Sequence, residues 1–291
     1  MIALTIGLAV FVGIALGLLG GGGSILTVPL LAYVAGMDAK QAIATSLLVV
    51  GVTSAIGAIS HARAGRVQWR TGLVFGGAGM VGAYGGGLLA QFIPGTVLLI
   101  GFAIMMIATA VAMLRGRKNV DTTDGGLHLP VPKIIAEGLV VGLVTGLVGA
   151  GGGFLVVPAL ALLGGLPMPI AVGTALSVIS MNSFAGLAGH LSSASIDWAA
   201  AGAITAAAAV GALIGVRLTA RIDPAALRKV FGWFVLAMSS VILAKEIHPI
   251  VGIAAAALTA IAAAATVACT RYAHCPLHRL VGAAASGPAT V

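Results

Sequence analysis

Long apolar runs separated by short polar stretches cover most of this chain. Most of the runs have the roughly 20 residues that an α-helix needs to cross a bilayer. A transmembrane β-barrel would instead show segments of about ten residues with alternating polarity, and the sequence has none. We therefore predict an all-α polytopic membrane protein. Its apolar runs are Ile2–Leu19, Gln41–Ser60, Thr71–Ile93, Val97–Leu114, Ile134–Val148, Ile170–Leu191, Ala199–Leu218, Leu227–Leu243 and Ile250–Ala268.

The apolar pattern is interrupted near its start by GLLGGGGSILTVPLL, Gly17–Leu31, which contains four consecutive glycines and then Pro29. The segment after the glycines, Ser24–Ala35, would rise only about 18 Å as a helix, against a hydrocarbon core of roughly 30 Å. Glycine allows backbone conformations with positive φ, and proline lacks an amide N–H. We therefore predict a broken helix over residues 20–35, which we call the first break.

The same interruption occurs twice. A shift of 129 residues places the motif on GLVGAGGGFLVVPAL, Gly146–Leu160, and we call residues 149–160 the second break. The register continues without a gap and pairs Pro29 with Pro158, Thr45 with Thr174, Ser54 with Ser183, His61 with His190 and Trp69 with Trp198. This agreement predicts a tandem duplication. We expect a first transmembrane repeat over residues 1–114, a cytoplasmic linker over 115–132, a second repeat over 133–245, and an extra helix with a tail over 246–291.

The basic residues indicate how the two repeats are oriented. If the first break is a separate pass, each repeat has five segments, the second repeat is inverted, and thirteen of the fifteen Lys and Arg residues are cytoplasmic. Only Lys40 and Lys245 then lie outside. Parallel repeats would divide the cations eight to seven. Since basic residues concentrate in cytoplasmic loops, we predict inverted repeats in a bacterial inner membrane, with the amino terminus outside and the carboxyl terminus cytoplasmic.

Composition narrows the class further. The chain is 60% hydrophobic and 8% charged, with a mean hydropathy of +1.16. Its net charge of +8 lies in short loops between apolar runs, so we expect the lipid bilayer and a small solute as partners, no nucleic acid, and leave homo-oligomer formation open. The sequence lacks the phosphate-binding loop of ATPases and the HExxH motif of zinc proteases, which argues against an enzyme, a cofactor or a metal site.

The acidic residues lie in loops or near the ends of the predicted helices. They are Asp38, Asp121, Asp124, Glu137, Asp197, Asp223 and Glu246. Cation transporters and pumps usually carry a carboxylate inside the membrane, and this chain has none at the centre of a run. The distribution therefore favours an anion as the solute.

Short, glycine-interrupted segments at matching places in two inverted repeats are typical of a transporter's substrate site. The backbone N–H groups freed at such breaks, and the positive ends of short helices, suit an anion. Nearby hydroxyl and amide side chains would add hydrogen-bond donors. The predicted substrate-binding residues are Gly20, Gly21, Gly22, Gly23, Ser24, Thr27, Thr45, Ser46, Gly149, Gly151, Gly152, Gly153, Thr174, Ser177 and Asn182.

Two histidines, His61 and His190, occupy equivalent positions near the end of a predicted helix in each repeat. Each is either an interfacial residue bonded to a carbonyl or a gating, proton-responsive group near one mouth of the path. The two cysteines, Cys269 and Cys275, lie in the tail and provide no disulfide framework.

The doubled glycine-rich motif, each copy followed by a helix with Thr45-Ser46-Leu47 or Thr174-Ala175-Leu176, resembles the sulfite exporter TauE/SafE family of bacterial and plant transporters. The resemblance covers about residues 1–245. It implies movement of sulfur-containing anions such as sulfite, thiosulfate and organosulfonates. A shorter similarity, Cys275-Pro276-Leu277, is to the ending of a small membrane family associated with sulfur transfer.

We therefore expect a secondary transporter, an exporter, that binds a small sulfur-containing anion at the paired breaks. A channel-like permease for another small anion, such as a carboxylate, is the alternative. Two further alternatives are a membrane scaffold without transport and an intramembrane hydrolase with Ser24 as nucleophile. The hydrolase is disfavoured because the second copy of the motif has Phe154, and no serine, after its glycines.

Overall fold

The computed structural model describes residues 2–19, 22–114, 131–149, 151–160, 166, 168–192, 194–218, 224–247, 252–257 and 259. The secondary structure of these residues is helical, and the prediction of an all-α polytopic membrane protein is confirmed. The helices are α1 (Ile2–Leu19), α2 (Thr27–Pro29), α3 (Ala39–Arg63), α4 (Trp69–Ala90), α5 (Gly95–Leu114), α6 (Val131–Val148), α7 (Gly153–Pro158), α8 (Met168–His190), α9 (Trp198–Leu218) and α10 (Pro224–Glu246).

Within the described part of the chain, four helices are long and apolar enough to cross a membrane, by length and composition. These spans are Ala39–Arg63, Trp69–Ala90, Ile170–His190 and Trp198–Leu218. Shorter apolar helices cover Gly7–Gly17, Ser24–Val34 and Gly95–Val111. These helices identify the chain as a multi-pass membrane protein.

Two acidic residues begin helices rather than entering the apolar interior. The Asp38 carboxylate accepts the Lys40 N–H at 3.3 Å at the start of α3. The Asp197 carboxylate accepts the N–H groups of Ala199 and Ala200, at 3.0 and 3.1 Å, at the start of α9. Aspartate is a favoured amino-terminal cap because it satisfies N–H groups that have no partner in the helix. These carboxylates therefore have a structural role at the ends of the spans.

The helix starts repeat at the spacing found in the sequence. The pairs α1 and α6, α3 and α8, α4 and α9, and α5 and α10 each begin 129 residues apart. The packing repeats too: Gly13 of α1 lies against Ala208 of α9, and the equivalent Gly142 of α6 lies against Gly79 of α4. The contact between α1 and α9 is therefore repeated between their equivalent helices, α6 and α4.

Equivalent helices α3 and α8 pack side by side and run in opposite directions. Gly57, late in α3, contacts Leu176, early in α8, and Gly186, late in α8, contacts Leu47, early in α3. By contrast, α1 and α9 run in the same direction, because Gly13 meets Ala208 and Gly17 meets Ala212. Helix α3 runs with them, because Ala42 shares a cluster with Ala9 and Ala208, and Gly57 shares a cavity with Leu16 and Ala212. Because α1 and α3 are parallel, the first break between them returns the chain to the side on which α1 begins.

These contacts lie within one compact unit, formed by Met1–Phe102 and Thr122–Pro224. A second unit comprises Ala103–Asp121 and Ala225–Val291. In the second unit, Gly232 of α10 packs closely against Leu114 at the end of α5. The predicted linker lies outside the described residues except for its last two positions, and the predicted extra helix is described only as helical residues 252–257 and 259.

Candidate functional site

The first break consists of three short helical pieces in place of one helix. Residues Gly22–Leu26 form a 3₁₀ turn, α2 follows, and Leu30–Val34 form a π turn. The π turn follows Pro29, which cannot donate an amide hydrogen bond and so interrupts the α-helical ladder. Gly36 follows the break, and its φ of +69° allows Met37 to donate its N–H to the Leu31 carbonyl at 3.0 Å. The predicted interruption is present.

The second break is built differently, by left-handed glycines. Gly149, Gly151 and Gly152 have φ values of +74°, +65° and +69°. Only glycine adopts this region without strain, so the glycines at these places are required by the backbone. The Gly152 carbonyl then accepts the N–H groups of Leu155 and Val156, which starts the six-residue helix α7.

The two breaks meet inside the first compact unit, where α7 contacts the 3₁₀ turn Gly22–Leu26. Ser24 of this 3₁₀ turn and Gly153 at the start of α7 are both buried. Neither break contains a charged residue, and neither do the adjoining stretches of α3 and α8, residues 41–60 and 168–189. Any ligand at this junction would be held by neutral groups.

Helices α3 and α8 hold the second break from two sides. The Ser46 hydroxyl donates a hydrogen bond to the Gly149 carbonyl at 2.9 Å. A Cβ on Gly151 would overlap the Val50 side chain and would lie 3.2 Å from the Ser183 hydroxyl oxygen. The second break therefore packs against both halves of the protein, with Ser183 facing its glycines.

Several polar side-chain atoms of the first break, α3 and α8 are fully buried and have no hydrogen-bond partner among the described residues. They are Thr27 Oγ1, Thr45 Oγ1, Ser54 Oγ, both amide atoms of Asn182, and Ser183 Oγ. A buried polar group without a partner costs about 1–3 kcal/mol, and such groups in native proteins usually meet a ligand or water. These atoms are the strongest candidates for ligand contacts.

Ser54 and Ser183 were not among the predicted substrate-binding residues. They occupy equivalent positions, 129 residues apart, and both hydroxyls are buried without a partner. The sequence already pairs them and makes their hydroxyls candidate hydrogen-bond partners, because the repeat register places Ser54 on Ser183. The equivalent pair Thr53 and Asn182 differs, because the Thr53 hydroxyl donates to the Val49 carbonyl of its own helix at 2.7 Å.

Other predicted site residues have structural partners. Thr174 Oγ1 accepts the Gln68 N–H at 2.9 Å, which ties α8 to the start of α4. Ser177 lies 3.5 Å from the Gly173 carbonyl of its own helix. Gly22 and Gly23 belong to the 3₁₀ turn. Gly20, Gly21, Cys269 and Cys275 lie outside the described residues.

The two equivalent histidines have different surroundings. His190 is fully buried, and its Nε2 is 2.7 Å from the Gly146 carbonyl. His61 is only partly buried and lines a cavity of about 20 Å³. Ser54 also lines this cavity. Within the described residues no group of three His, Cys, Asp or Glu side chains is placed to bind a metal ion.

Broken helices that meet at a buried junction are typical of membrane transporters, and comparisons with known proteins agree. The profile described as "Sulfite exporter TauE/SafE" matches residues 5–242. The chain therefore belongs to the sulfite exporter TauE/SafE family. No solved structure matches it.

Curated relatives have the same general description. A "Probable membrane transporter protein" of Xylella fastidiosa strain Temecula1 is 36% identical over 245 residues, covering 81% of this chain and 92% of the relative. The "Probable membrane transporter protein YunE" of Bacillus subtilis strain 168 is 29% identical over 229 residues, covering 71% of this chain and 84% of the relative. These similarities extend over both repeats rather than one.

Proposed function

We propose that this protein is a secondary transporter that exports a small sulfur-containing anion, such as sulfite, thiosulfate or an organosulfonate, through a site at the junction of the two breaks. The description of its family supports the chemical class of the substrate. The observation that carries the proposal is the set of buried, unpartnered polar atoms of Asn182, Ser183, Ser54, Thr27 and Thr45.

The chemistry of these groups fits an oxyanion. Hydroxyls and the Asn182 amide nitrogen can each donate a hydrogen bond to an acceptor oxygen. No charged side chain lies in the breaks or in the adjoining stretches of α3 and α8, so the binding energy would come from several neutral donors. The helix-dipole contribution expected from the sequence is small, because α7 has six residues. Side-chain donors therefore have the larger role in this proposal.

We further propose that the repeats are inverted in a bacterial inner membrane, with the amino terminus outside and the linker and tail in the cytoplasm. Support comes from the antiparallel packing of the equivalent helices α3 and α8, since parallel repeats would place equivalent helices in the same direction. The parallel α1 and α3 support a first break that crosses back, and the same arrangement in the second half would give five passes in each repeat. Lys and Arg then concentrate on one side.

The test is counterflow of labelled thiosulfate into proteoliposomes that contain the purified protein and unlabelled thiosulfate. We expect uptake of the label, and we expect sulfite and an organosulfonate to inhibit it. Ser183→Ala should weaken the affinity for thiosulfate about tenfold, which corresponds to one hydrogen bond to a charged group. Ser60→Ala is the matched control, because Ser60 is exposed and bonds the Ile56 carbonyl of its own helix. Counterflow of lactate but not thiosulfate would favour a carboxylate permease, and no flux of either would favour a scaffold.

A further inference from the structure

The difference between His61 and His190 is unexpected, because the two residues occupy the same position in a duplicated chain. His190 Nε2 bonds the Gly146 carbonyl in a fully buried place. His61 Nδ1 is buried and has no partner among the described residues, although the ring as a whole is partly exposed. His190 is therefore held by a structural bond through Nε2, whereas His61 has no such bond and lines a cavity.

His61 lines a cavity that has room for a hydrogen-bond partner of its ring. Its volume is about 20 Å³, room for one water molecule. It is lined by Leu16 and Gly17 of α1, by Ser54, Gly57 and His61 of α3, and by Ala212 and Val216 of α9 among others.

Two polar groups on this cavity lack partners among the described residues. They are the Ser54 hydroxyl and His61 Nδ1. The hydroxyl of Thr53, which also lines the cavity, already bonds carbonyls of its own helix. A water molecule here would therefore have Ser54 and His61 as its side-chain partners, and the wall is otherwise largely apolar.

Among the described residues, the charged side chains that follow His61 and the α9 wall of its cavity in sequence are positive. Arg63 and Arg66 follow it on the same helix end and the next loop, and Arg217 follows Val216 on α9. Helix α1 contains no titratable residue, and the part of α8 that contacts this region, around Gly173 and Leu176, has none either. A proton on His61 would add another positive charge, and a bound anion would supply the compensating negative charge.

We propose that His61 and Ser54, with one water molecule, form the binding site for a proton that moves together with the anion. This inference rests on the proposed function. The available ring nitrogen takes up one proton to give an imidazolium and returns it on release, with no other bond changed. Because binding linkage is reciprocal, the proton raises the affinity for the anion and the anion raises the affinity for the proton.

The transport test compares pH-driven accumulation with counterflow, which needs no driving force. Thiosulfate is the probe, because its own protonation state does not change between about pH 5 and pH 8, the range in which histidine switches. With the membrane potential held at zero, we expect the wild type to accumulate thiosulfate on the alkaline side, whichever way the protein is inserted. In a cell, thiosulfate with one proton carries a net charge of −1, and the inside-negative potential drives it outward. In His61→Gln the ratio of pH-driven accumulation to counterflow should fall at least about tenfold, while the neighbouring Ser60→Ala keeps the wild-type ratio. A wild-type ratio in His61→Gln overturns the inference, and absent wild-type counterflow overturns the proposed function instead.

A second measurement needs no transport. The protein is labelled with ¹⁵N-histidine, placed in lipid nanodiscs and measured by NMR. The histidine signal that is present in the wild type and missing from the His61→Gln spectrum belongs to His61. We expect this signal to change from neutral imidazole to imidazolium as the pH is lowered. The pH of the change should rise when thiosulfate is added and should move when Ser54 is replaced by Ala. A His61 signal that stays neutral throughout overturns the proposal, whatever the transport result.

Discussion

The Ser180 hydroxyl donates a hydrogen bond to the Gly51 carbonyl at 3.0 Å, and these two residues are equivalent positions of the two repeats, 129 residues apart. A contact between equivalent residues lies at the axis that exchanges the two halves. Around it, Gly57 meets Leu176 and Gly186 meets Leu47, which is the same contact with the partners exchanged. Within the first compact unit, the two halves are therefore related by a two-fold axis that passes near this contact, with α3 and α8 antiparallel.

This arrangement predicts the sides of the membrane on which two helix ends lie. With Cys269 and Cys275 replaced by Ser, Arg66→Cys should react with an impermeant maleimide only from the cytoplasmic side. Asp197→Cys should react only from outside, because α8 crosses the membrane opposite to α3. Labelling is measured on right-side-out cells and on inverted vesicles. If both cysteines are labelled from the cytoplasm, the parallel arrangement holds.

The close helix contacts predict matched stability losses in the two halves. A Cβ on Gly82 would overlap the Leu139 carbonyl, and one on the equivalent Gly211 would overlap the Val10 carbonyl. We expect Gly82→Ala and Gly211→Ala each to destabilise the protein by about 1–3 kcal/mol, through forced separation of the helices. Thermal unfolding in detergent measures this. Gly85→Ala is the control, since nothing lies within 4 Å of a Cβ there, and equal losses in all three would refute the packing account.

Much of the fold was predictable from the sequence. A segment inside a membrane must pair all its backbone N–H and C=O groups within a helix, so each long apolar run forms a helix of about the same length. The run Ile2–Leu19 matches α1, and the duplication matches the helix starts. The partners of polar side chains were not predictable. Thr174 bonds the Gln68 N–H, and Ser46 bonds the Gly149 carbonyl, through contacts between residues about a hundred positions apart. The difference between His61 and His190 is likewise tertiary, since their positions in the repeats are the same.

Asn182 provides a test that separates binding from stability. Its amide is buried against Gly79 of α4, and both amide atoms lack a partner among the described residues. Replacing an unpaired buried polar group by an apolar one of similar size is neutral or stabilising. Asn182→Leu should therefore keep or raise the unfolding temperature and abolish thiosulfate binding, measured by calorimetry on purified protein. Thr53→Val, at the equivalent position, should keep binding. Intact binding in Asn182→Leu would remove this residue from the site.

Gly151 tests whether the second break acts in transport or only in folding. Its φ is +65°, and a Cβ would overlap Val50 and approach Ser183. Gly36 has a similar φ of +69° with nothing within 4 Å of a Cβ, so Gly36→Ala adds the backbone strain of about 1–2 kcal/mol alone. At matched protein amounts, Gly151→Ala should lower thiosulfate counterflow far more than Gly36→Ala. Parallel losses of folded protein and flux in both variants would make the break purely structural.

Ser24 tests the sign of the substrate's charge. It is fully buried in the 3₁₀ turn that contacts α7, in a region without charged side chains. An ionised carboxylate in such a place repels an anion strongly, because little water or counter-charge screens it. Burial raises the pKa of a carboxyl at this place, so the charge forms fully only at alkaline pH. Ser24→Asp should therefore weaken thiosulfate and sulfite binding increasingly as the pH of the titration is raised, and abolish it where the carboxyl is ionised. Ser24→Asn has the same size without the charge and should lose no more than about tenfold in affinity, one hydrogen bond to a charged group. Circular dichroism and gel filtration establish that both variants are folded. Retained affinity in folded Ser24→Asp would place the anion away from the first break, and equal loss in both variants would assign the effect to size rather than charge.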